Sequence, residues 1–293
     1  MTGHNKERIS FAQLHGFGCV ELQVSAKDPF WPDKPDWKAR ARVMKGDFDG
    51  AGLRISCLAG FYQMNHLSPN KAEAKTASDM VRNTVRLAKF LGVKVVAGFP
   101  GRVMGEPLEA SIQPFKRVWT GQAKFAEDHG VKIAFENCPM GAHHLPPGGN
   151  NAMCTPKMWD ACFGEVPSPA LGLEWDPSHL VGLMIDPIAN LRKYAGKVHH
   201  VHAKDAKVNP WILRETGIFS HGAVEHCMPG LGDTDFAQVV KELKRAGYDN
   251  DLNIEGWHDA VFRDPGQWGG YPHGEDDGLL IGLKYLNQFV DGR

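Results

Sequence analysis

The stretch VKIAFEN, residues 131–137, is a short apolar run that ends in a carboxylate, Glu136, and an amide. Six further apolar, β-branched runs recur along the chain, and each ends in polar residues. They are CVELQVS (19–25), LRISCLAG (53–60), VKVVAGF (93–99), LGLEWDP (171–177), KVHHVHAKD (197–205) and LNIEGW (252–257). Runs of this length and composition predict buried strands. The sequence therefore predicts seven strands.

Helix-length segments with an apolar residue every three to four positions separate most of these strands. Residues 72–91 and 235–246 are clear examples, and Gly247 stands where a helix cap is expected. Strands that alternate with helices predict parallel pairing and right-handed crossovers. Strands that are apolar throughout fit a sheet that is covered on both faces.

The predicted fold is α/β, a TIM-type (β/α)8 barrel rather than an open doubly wound sheet. Polar residues follow many of the strands, and barrels build their sites from the C-terminal ends of many strands, whereas an open sheet concentrates them at one switch point. The first strand of the eight is missing or atypical, because a helix-like segment leads directly into residue 19. No flexible linker divides the chain, so residues 1–293 are expected to form one domain.

Composition and charge narrow the class of protein. The formal net charge is -1 and no basic run stands out, which argues against a nucleic-acid surface. No apolar run reaches the roughly 18 to 20 residues that a membrane span needs. Six cysteines without a C-x-x-C pair, after a polar first segment, favour reduced thiols and a cytoplasmic location.

Four side chains with metal-binding groups stand at four successive strand ends: Glu136, Asp176, His202 and Glu255. In a barrel these positions converge, and a carboxylate at such a position is costly to bury without a partner. A set of carboxylates with one histidine suits Mn²⁺, Mg²⁺ or Co²⁺, and is also compatible with Zn²⁺ or Fe²⁺. A helix cap or an ion pair would explain any one of them alone. Together they predict a divalent-metal centre.

Other polar residues near the strand ends are candidates for substrate contact or catalysis. The candidates are His179, Lys204, His66 and Trp257 for substrate contact, and His143 and His144 as acid/base groups. His179 is close enough to Asp176 to touch the substrate or to support the metal ligand. Lys204 could bind sugar oxygens or neutralise an enolate, or belong to a solvated loop. For His66 and Trp257 the alternative is ordinary packing.

Two further features are interpreted as structural. His200 lies deeper in its strand than His202 and is expected to be a packed core histidine. The turn at residues 230–233, GLGD, resembles a phosphate-binding turn only weakly, because no strand directly precedes it. The segment 258–278, rich in glycine, proline and aromatic residues, is typical of a lid, a binding loop or an interface arm.

Several segments resemble the xylose-isomerase-like TIM-barrel superfamily. They are IAFENCP, LEWDPSHLVG, HHVHAKD, PGLGDTDF and LNIEG. More narrowly, they resemble the sugar (phosphate) isomerase/epimerase group, with D-tagatose/psicose 3-epimerases and inosose isomerases or dehydratases as relatives. The resemblance implies a Glu-Asp-His-Glu site for Mn²⁺ or a similar ion, with Glu136 and Glu255 as the acid/base pair and His179 touching the substrate. It also implies a homo-oligomer.

The expected function is therefore a sugar isomerase or epimerase that abstracts a proton next to a carbonyl through a metal-bound enediolate. The alternative is a metal-dependent lyase, because a leaving group β to the enolate turns the same step into an elimination. The chain also resembles the large subunits of C-glycoside deglycosidases, which act on 3-keto-glycosides together with a small partner subunit.

Two other classes fit the sequence less well. A DNA-repair endonuclease of the same superfamily needs further histidine and aspartate ligands, and no D-x-H pair follows His202 within about twenty residues. The near-neutral charge also opposes binding to a phosphate backbone. A non-catalytic sugar-binding or metal-binding module would retain metal without any proton exchange on a sugar.

Overall fold

The computed structural model describes residues 3–140, 149–256, 259, 261–263 and 273–290. The chain divides into two compact units, Met1–Trp175 and Asp176–Arg293. The expectation of one domain over residues 1–293 stays a prediction.

The first unit alternates strands with helices. Its strands are β1 (Cys19–Gln23), β2 (Arg54–Phe61), β3 (Val95–Gly98), β4 (Lys132–Glu136) and β5 (Leu171–Trp175). Its helices are α1 (Gly3–His15), α2 (Trp37–Gly50), α3 (Lys71–Leu91), α4 (Ile112–His129) and α5 (Pro156–Glu165). Each strand pairs in parallel with the next one along the chain. An order without reversal favours a barrel over a doubly wound sheet, whose strand order reverses at a switch point.

Helix α3 shows how the local sequence sets the bounds of an element. The side chain of Asn70 accepts hydrogen bonds from the backbone N–H groups of Ala72 and Glu73 and so caps the first turn. Gly92, at φ 76°, ends the helix in the left-handed conformation that other residues disfavour. Between these caps one face is buried, and it is formed by Ala77, Val81, Thr84, Val85, Leu87, Ala88 and Leu91. The predicted helix over residues 72–91 is therefore confirmed.

The second unit contains the remaining elements. Its strands are β6 (Val198–Ala203), β7 (Asp205–Val208), β8 (Val224–Cys227) and β9 (Leu252–Ile254). Its helices are α6 (Pro177–Gly182), α7 (Pro187–Tyr194), α8 (Pro210–Thr216), α9 (Phe236–Arg245) and α10 (Gly274–Leu286). Strands β6 and β9 pair in parallel, whereas β7 and β8 form an antiparallel hairpin that the sequence analysis did not anticipate.

All seven predicted strands are present, as β1 to β6 and β9. Of the described residues that precede β1, those from 3 to 15 form a helix and none forms a strand, as expected for a missing first strand. All six cysteines lie in the described ranges, and none of them forms a disulfide bond. Within the described ranges, no helix combines the length and the apolar character needed to cross a membrane.

Candidate metal centre

Three side chains of the second unit with metal-binding atoms lie together. One carboxylate oxygen each of Asp176 and Glu255 and one ring nitrogen of His202 lie within 4.8 Å of one another. The strand register explains part of this grouping, because β6 and β9 pair with His202 opposite Asn253. Lys204 and Glu255 each follow this pair by two positions, so they also lie side by side. Two oxygens and one imidazole nitrogen form a donor set that fits a divalent metal ion.

Asp176 is the residue that begins helix α6. Its Oδ1 accepts a hydrogen bond from the backbone N–H of Ser178 at 2.7 Å, and Pro177 occupies the first helical position. Its Oδ2 lies 3.2 Å from Nε2 of His179. The cap therefore fixes one carboxylate oxygen and leaves the other on the side of His179.

Lys204 is buried beside a predicted metal ligand. Its Nζ lies 3.3 Å from Oε2 of Glu255, and the same oxygen lies 3.3 Å from Nδ1 of His202. Because a buried ammonium group is costly without a counter-charge, the pair with Glu255 holds Lys204 in place. The side chain of Glu255 is 25% exposed, so this end of the group is open to a small molecule.

The GLGD turn binds a carboxylate of the chain itself. Backbone N–H groups of Gly230 and Gly232 donate to Oδ2 of Asp205, and the N–H of Thr234 donates to its Oδ1. Burial raises the pKa of Asp205, although these hydrogen bonds act in the opposite direction. The turn thus resembles a phosphate-binding turn because its backbone N–H groups bind an anion. That anion is the carboxylate of Asp205, the residue directly after Lys204.

His226 is a neighbour of the site that the sequence analysis missed. It lies on β8, and its ring centroid is 5.1 Å from that of His179. The hairpin brings it there because β7 continues directly from the segment that carries Lys204. No apolar alternation marks β8, so the sequence offered no signal for this contact.

Glu136 belongs to the first unit, where it ends β4 and is only 5% exposed. Its backbone carbonyl accepts a hydrogen bond from Nδ2 of Asn151 at 2.8 Å. In the pairing of β4 with β5 it stands opposite Glu174. These contacts set its place at the carboxyl end of β4.

A second group with metal-binding atoms lies in the first unit. One atom each from Glu21, Cys57 and Glu174 lies within 4.8 Å of the others. The hydroxyl of Tyr62 donates a short hydrogen bond to Oε2 of Glu174. Burial and the neighbouring carboxylates of Glu174, Glu21 and Glu136 raise the pKa of Tyr62 well above its usual value, so the phenol stays protonated.

His66 lies in an aromatic pocket of the first unit. It is 2% exposed, and its ring centroid lies 5.5 Å from that of Phe61 and 5.3 Å from that of Trp119. Burial lowers the pKa of His66 to about 4, so the ring is neutral at physiological pH. This environment favours packing over substrate contact, and we leave His66 out of the proposed site.

The other predicted residues have different outcomes. His143, His144 and Trp257, together with most of the segment 258–278, lie outside the described residues. His200 is fully buried, as expected for a core histidine, and its ring lies 6.0 Å from that of His202. That distance agrees with the alternation of a strand, in which residues two positions apart point to the same face.

Among curated proteins, the chain is similar to the inosose dehydratase of Clostridium beijerinckii, with 31% identity over 146 residues. That alignment covers 48% of this chain and 46% of the dehydratase, so the chain spans about half the length of that relative. An inosose dehydratase removes water from its substrate, as its name states.

Two solved structures share the fold. The D-allulose 3-epimerase of Methylomonas sp. superposes with a TM-score of 0.68 at 18% identity, over 98% of this chain and 92% of the epimerase. The IolI protein, solved with a bound zinc atom, gives a TM-score of 0.69 at 17% identity, over 98% and 94% of the two chains. At these identities the similarity concerns the fold alone.

A family model described as xylose isomerase-like TIM barrel matches residues 9–286. This match agrees with the sequential order of parallel strands in the first unit and with the segments quoted from the sequence. It confirms the predicted TIM-type fold. The chain therefore belongs to the xylose isomerase-like TIM barrel family.

Proposed function

We propose that this chain is a divalent-metal-dependent sugar isomerase or epimerase that moves a proton on a carbon next to a carbonyl group. The observation that carries the proposal is the grouping of Asp176, His202 and Glu255, whose ligand atoms lie within 4.8 Å of one another. The epimerase among the fold neighbours and the dehydratase among the relatives both support carbohydrate chemistry at such a site.

Glu136 is proposed as the fourth ligand. It stands opposite Glu174 in the ladder between β4 and β5, and Asp176 follows Glu174 by two residues in an extended conformation. Side chains two residues apart on a strand point to the same face. This alternation supports a common row at the carboxyl ends of neighbouring strands, which is where TIM barrels build their active sites.

Mn²⁺ is the proposed ion, with Mg²⁺, Co²⁺, Zn²⁺ and Fe²⁺ as the alternatives that the donor set allows. When bound, a divalent ion would acidify a C–H bond that lies between a carbonyl and a hydroxyl group and stabilise the negative oxygen that forms. The zinc atom in the IolI structure supports a bound metal in a protein of this fold without identifying the native ion.

The roles of the protein groups follow from their exposure and contacts. Asp176 is fully buried and held by its helix cap, so it is suited to hold an ion rather than to move. Glu255 is partly exposed and can exchange a proton with a bound sugar, with Glu136 as the second acid/base group. Lys204 would neutralise a developing oxygen charge, and His179 would contact a hydroxyl.

The test is the exchange of solvent deuterium into a ketose. The purified chain, loaded with Mn²⁺, is incubated with a panel of ketoses in D₂O, and the carbon-bound protons next to the carbonyl are followed by NMR. We expect exchange that a chelator abolishes and added Mn²⁺ restores. Metal retention without exchange on any ketose would contradict an isomerase or epimerase and would support a non-catalytic module.

A lyase is the second candidate, and the similarity to inosose dehydratase favours it. In a dehydration, the carboxylate removes the proton next to the carbonyl and the β-hydroxyl leaves as water after it gains a proton, so one water is lost and a double bond forms. The conjugated ketone that results absorbs in the near ultraviolet. If the absorbance increases faster than deuterium is exchanged into the substrate, the chain is a lyase rather than an isomerase.

The deglycosidase form of the lyase makes a separate prediction. Its substrate would be a 3-keto-glycoside, its acid/base groups would include His143 or His144, and its activity would require a small partner subunit. Co-purification of a small second chain, followed by release of an aglycone, would support this form. Full activity of the isolated chain on free sugars would contradict it.

We also infer a cytoplasmic homo-oligomer. The six free cysteines fit a reducing compartment, and the family resemblance implies the assembly. Light scattering of the purified chain measures its mass in solution, and a monomer at all concentrations would contradict the second inference.

A further inference from the structure

One arginine of the first unit has more hydrogen-bond donors than acceptors around it. Arg102 follows β3 and its side chain is fully buried. Its Nη2 donates to the backbone carbonyl of Glu106 at 2.8 Å, whereas Nε and Nη1 have no hydrogen-bond partner among the described residues. A buried charge is expensive unless it is paired, so buried guanidinium groups normally face an anion.

Among the described residues, the thiol of Cys154 interacts electrostatically with Arg102. Burial raises the pKa of this thiol to about 11, although Arg102 acts to lower it. At neutral pH the thiol is therefore protonated and uncharged, and it does not balance the positive charge.

The side chain of Asn65 holds the backbone of Arg102 in a fixed position. The side chain of Asn65 accepts a hydrogen bond from the N–H of Arg102 and donates one to its carbonyl, at 3.0 and 2.9 Å. Gly101, at φ +88°, precedes it, and a Cβ there would lie 2.7 Å from the backbone nitrogen of His66. These contacts fix the backbone from which the guanidinium group extends.

Arg102 follows β3 at the carboxyl edge of the first unit's sheet. Strand β3 pairs with β4 so that Gly98 stands opposite Phe135, the residue before Glu136. Gly101 forms a parallel bridge with Asn151, and Nδ2 of Asn151 binds the carbonyl of Glu136. Barrels of this class bind their substrates at this edge.

We propose that Arg102 binds a small oxyanion, supplied either by free phosphate or by a phosphate or carboxylate group of the substrate. A guanidinium group matches such an anion because it offers parallel N–H donors in a planar fork. Because the side chain is fully covered, the anion must be compact. If the anion belongs to the substrate, the proposal deepens the proposed function by naming an acidic or phosphorylated sugar.

The experiment compares thermal unfolding in sodium phosphate with that in sodium chloride at equal ionic strength. We expect phosphate to raise the unfolding midpoint of the wild-type chain by several degrees and to have no such effect on Arg102→Gln. Arg117→Gln, an exposed arginine on α4, is the matched control and should behave as the wild type. Equal stabilisation of Arg102→Gln and the wild type would overturn the proposal.

A measurement on the wild type covers the case in which Arg102→Gln does not fold. Crystals soaked in selenate should show an anomalous peak beside the guanidinium of Arg102, and a soaked crystal without that peak overturns the proposal. A peak that washes out at millimolar selenate, and is thus an adventitious ion only, overturns it as well.

Binding measurements distinguish the two sources of the anion, a substrate group and a free ion. A ketose phosphate that binds at least 10-fold more tightly than inorganic phosphate, with the advantage lost in Arg102→Gln, identifies a substrate group. Equal affinities, both weakened in Arg102→Gln, identify a free ion. Neither measurement requires turnover, so a failure of the proposed isomerase leaves this result standing.

Discussion

Each unit of the chain holds three side chains with metal-binding atoms within 4.8 Å of one another, but the two groups have different surroundings. In the first unit, Glu174 accepts a hydrogen bond from the hydroxyl of Tyr62, and Cys57 packs into the apolar core. In the second unit, Glu255 lies beside Lys204 and remains partly exposed. Similar residue types therefore serve different purposes.

The comparison shows that the surroundings of a cluster of metal-binding side chains determine its chemistry. Within the first unit, burial keeps Tyr62 protonated and His66 neutral, which are the uncharged forms that a packed interior favours. In the second unit, Lys204 gives Glu255 a charged partner at a position that a small molecule can reach. We therefore propose the second group, rather than the first, as the metal site.

Replacement of Glu255 should have the largest effect. Glu255→Gln removes a metal-binding oxygen and the partner of Lys204, so solvent deuterium exchange should fall by more than about 100-fold. Metal affinity should fall with it. Glu215→Gln, an exposed carboxylate on α8, is the control and should retain full exchange. Unchanged exchange in Glu255→Gln would remove this residue from the mechanism.

The neutral state of His66 predicts a loss of stability in acid. Its pKa is lowered to about 4 in the folded chain, so protonation of the unfolded chain below about pH 6.5 favours unfolding. The wild type should lose about 3 kcal/mol from this residue as the pH falls from 6.5 to 4. In urea unfolding, His66→Gln should lack that part of the loss.

The control for His66 is His221, which is exposed. His221→Gln should lose as much stability between pH 6.5 and pH 4 as the wild type, because the substitution leaves the pocket of His66 unchanged. A wild type and a His66→Gln variant that lose stability in parallel would show that His66 is not held neutral.

Tyr62→Phe should destabilise the chain by about 2 kcal/mol, since it removes a hydrogen bond to a carboxylate. The raised pKa of Tyr62 also predicts how the stability of the chain changes with pH. Its contribution is complete below about pH 10 and is lost at higher pH, so the stability of Tyr62→Phe should fall less steeply above pH 10. Tyr248→Phe, which removes a single bond to the carbonyl of Asp251, is the control.

The smallest effect is expected for Cys57→Ser. If the first-unit group is structural, this change should alter metal affinity less than about 2-fold and stability by about 1 kcal/mol. Cys162→Ser, a buried thiol on α5 outside both groups, is the matched control. A large loss of metal affinity in Cys57→Ser alone would reverse the comparison between the two groups.

The sequence predicted the features that depend on local pattern. The seven strands follow from short apolar runs, helix α3 follows from its caps and periodicity, and the grouping of Asp176, His202 and Glu255 follows from their places beside strands. Their role as metal ligands stays a prediction. Polar residues at strand ends stand out because the runs before them are apolar throughout.

Features that depend on distant contacts could not be predicted. The hydrogen bond between Tyr62 and Glu174 joins residues 112 positions apart, and the pocket of His66 includes Trp119 of the distant helix α4. The hairpin of β7 and β8 escaped prediction because its strands are half-exposed and lack an apolar alternation. It carries His226 to within ring contact of His179, so a neighbour of the proposed metal centre was missed with it.

The most direct test of the central claim is a crystal structure of the Mn²⁺-loaded chain, with diffraction data collected at the manganese absorption edge. We expect one anomalous peak, bound by Asp176, His202 and Glu255. A peak among Glu21, Cys57 and Glu174 in its place, or no peak at saturating metal, would show that the second-unit group is not the metal site.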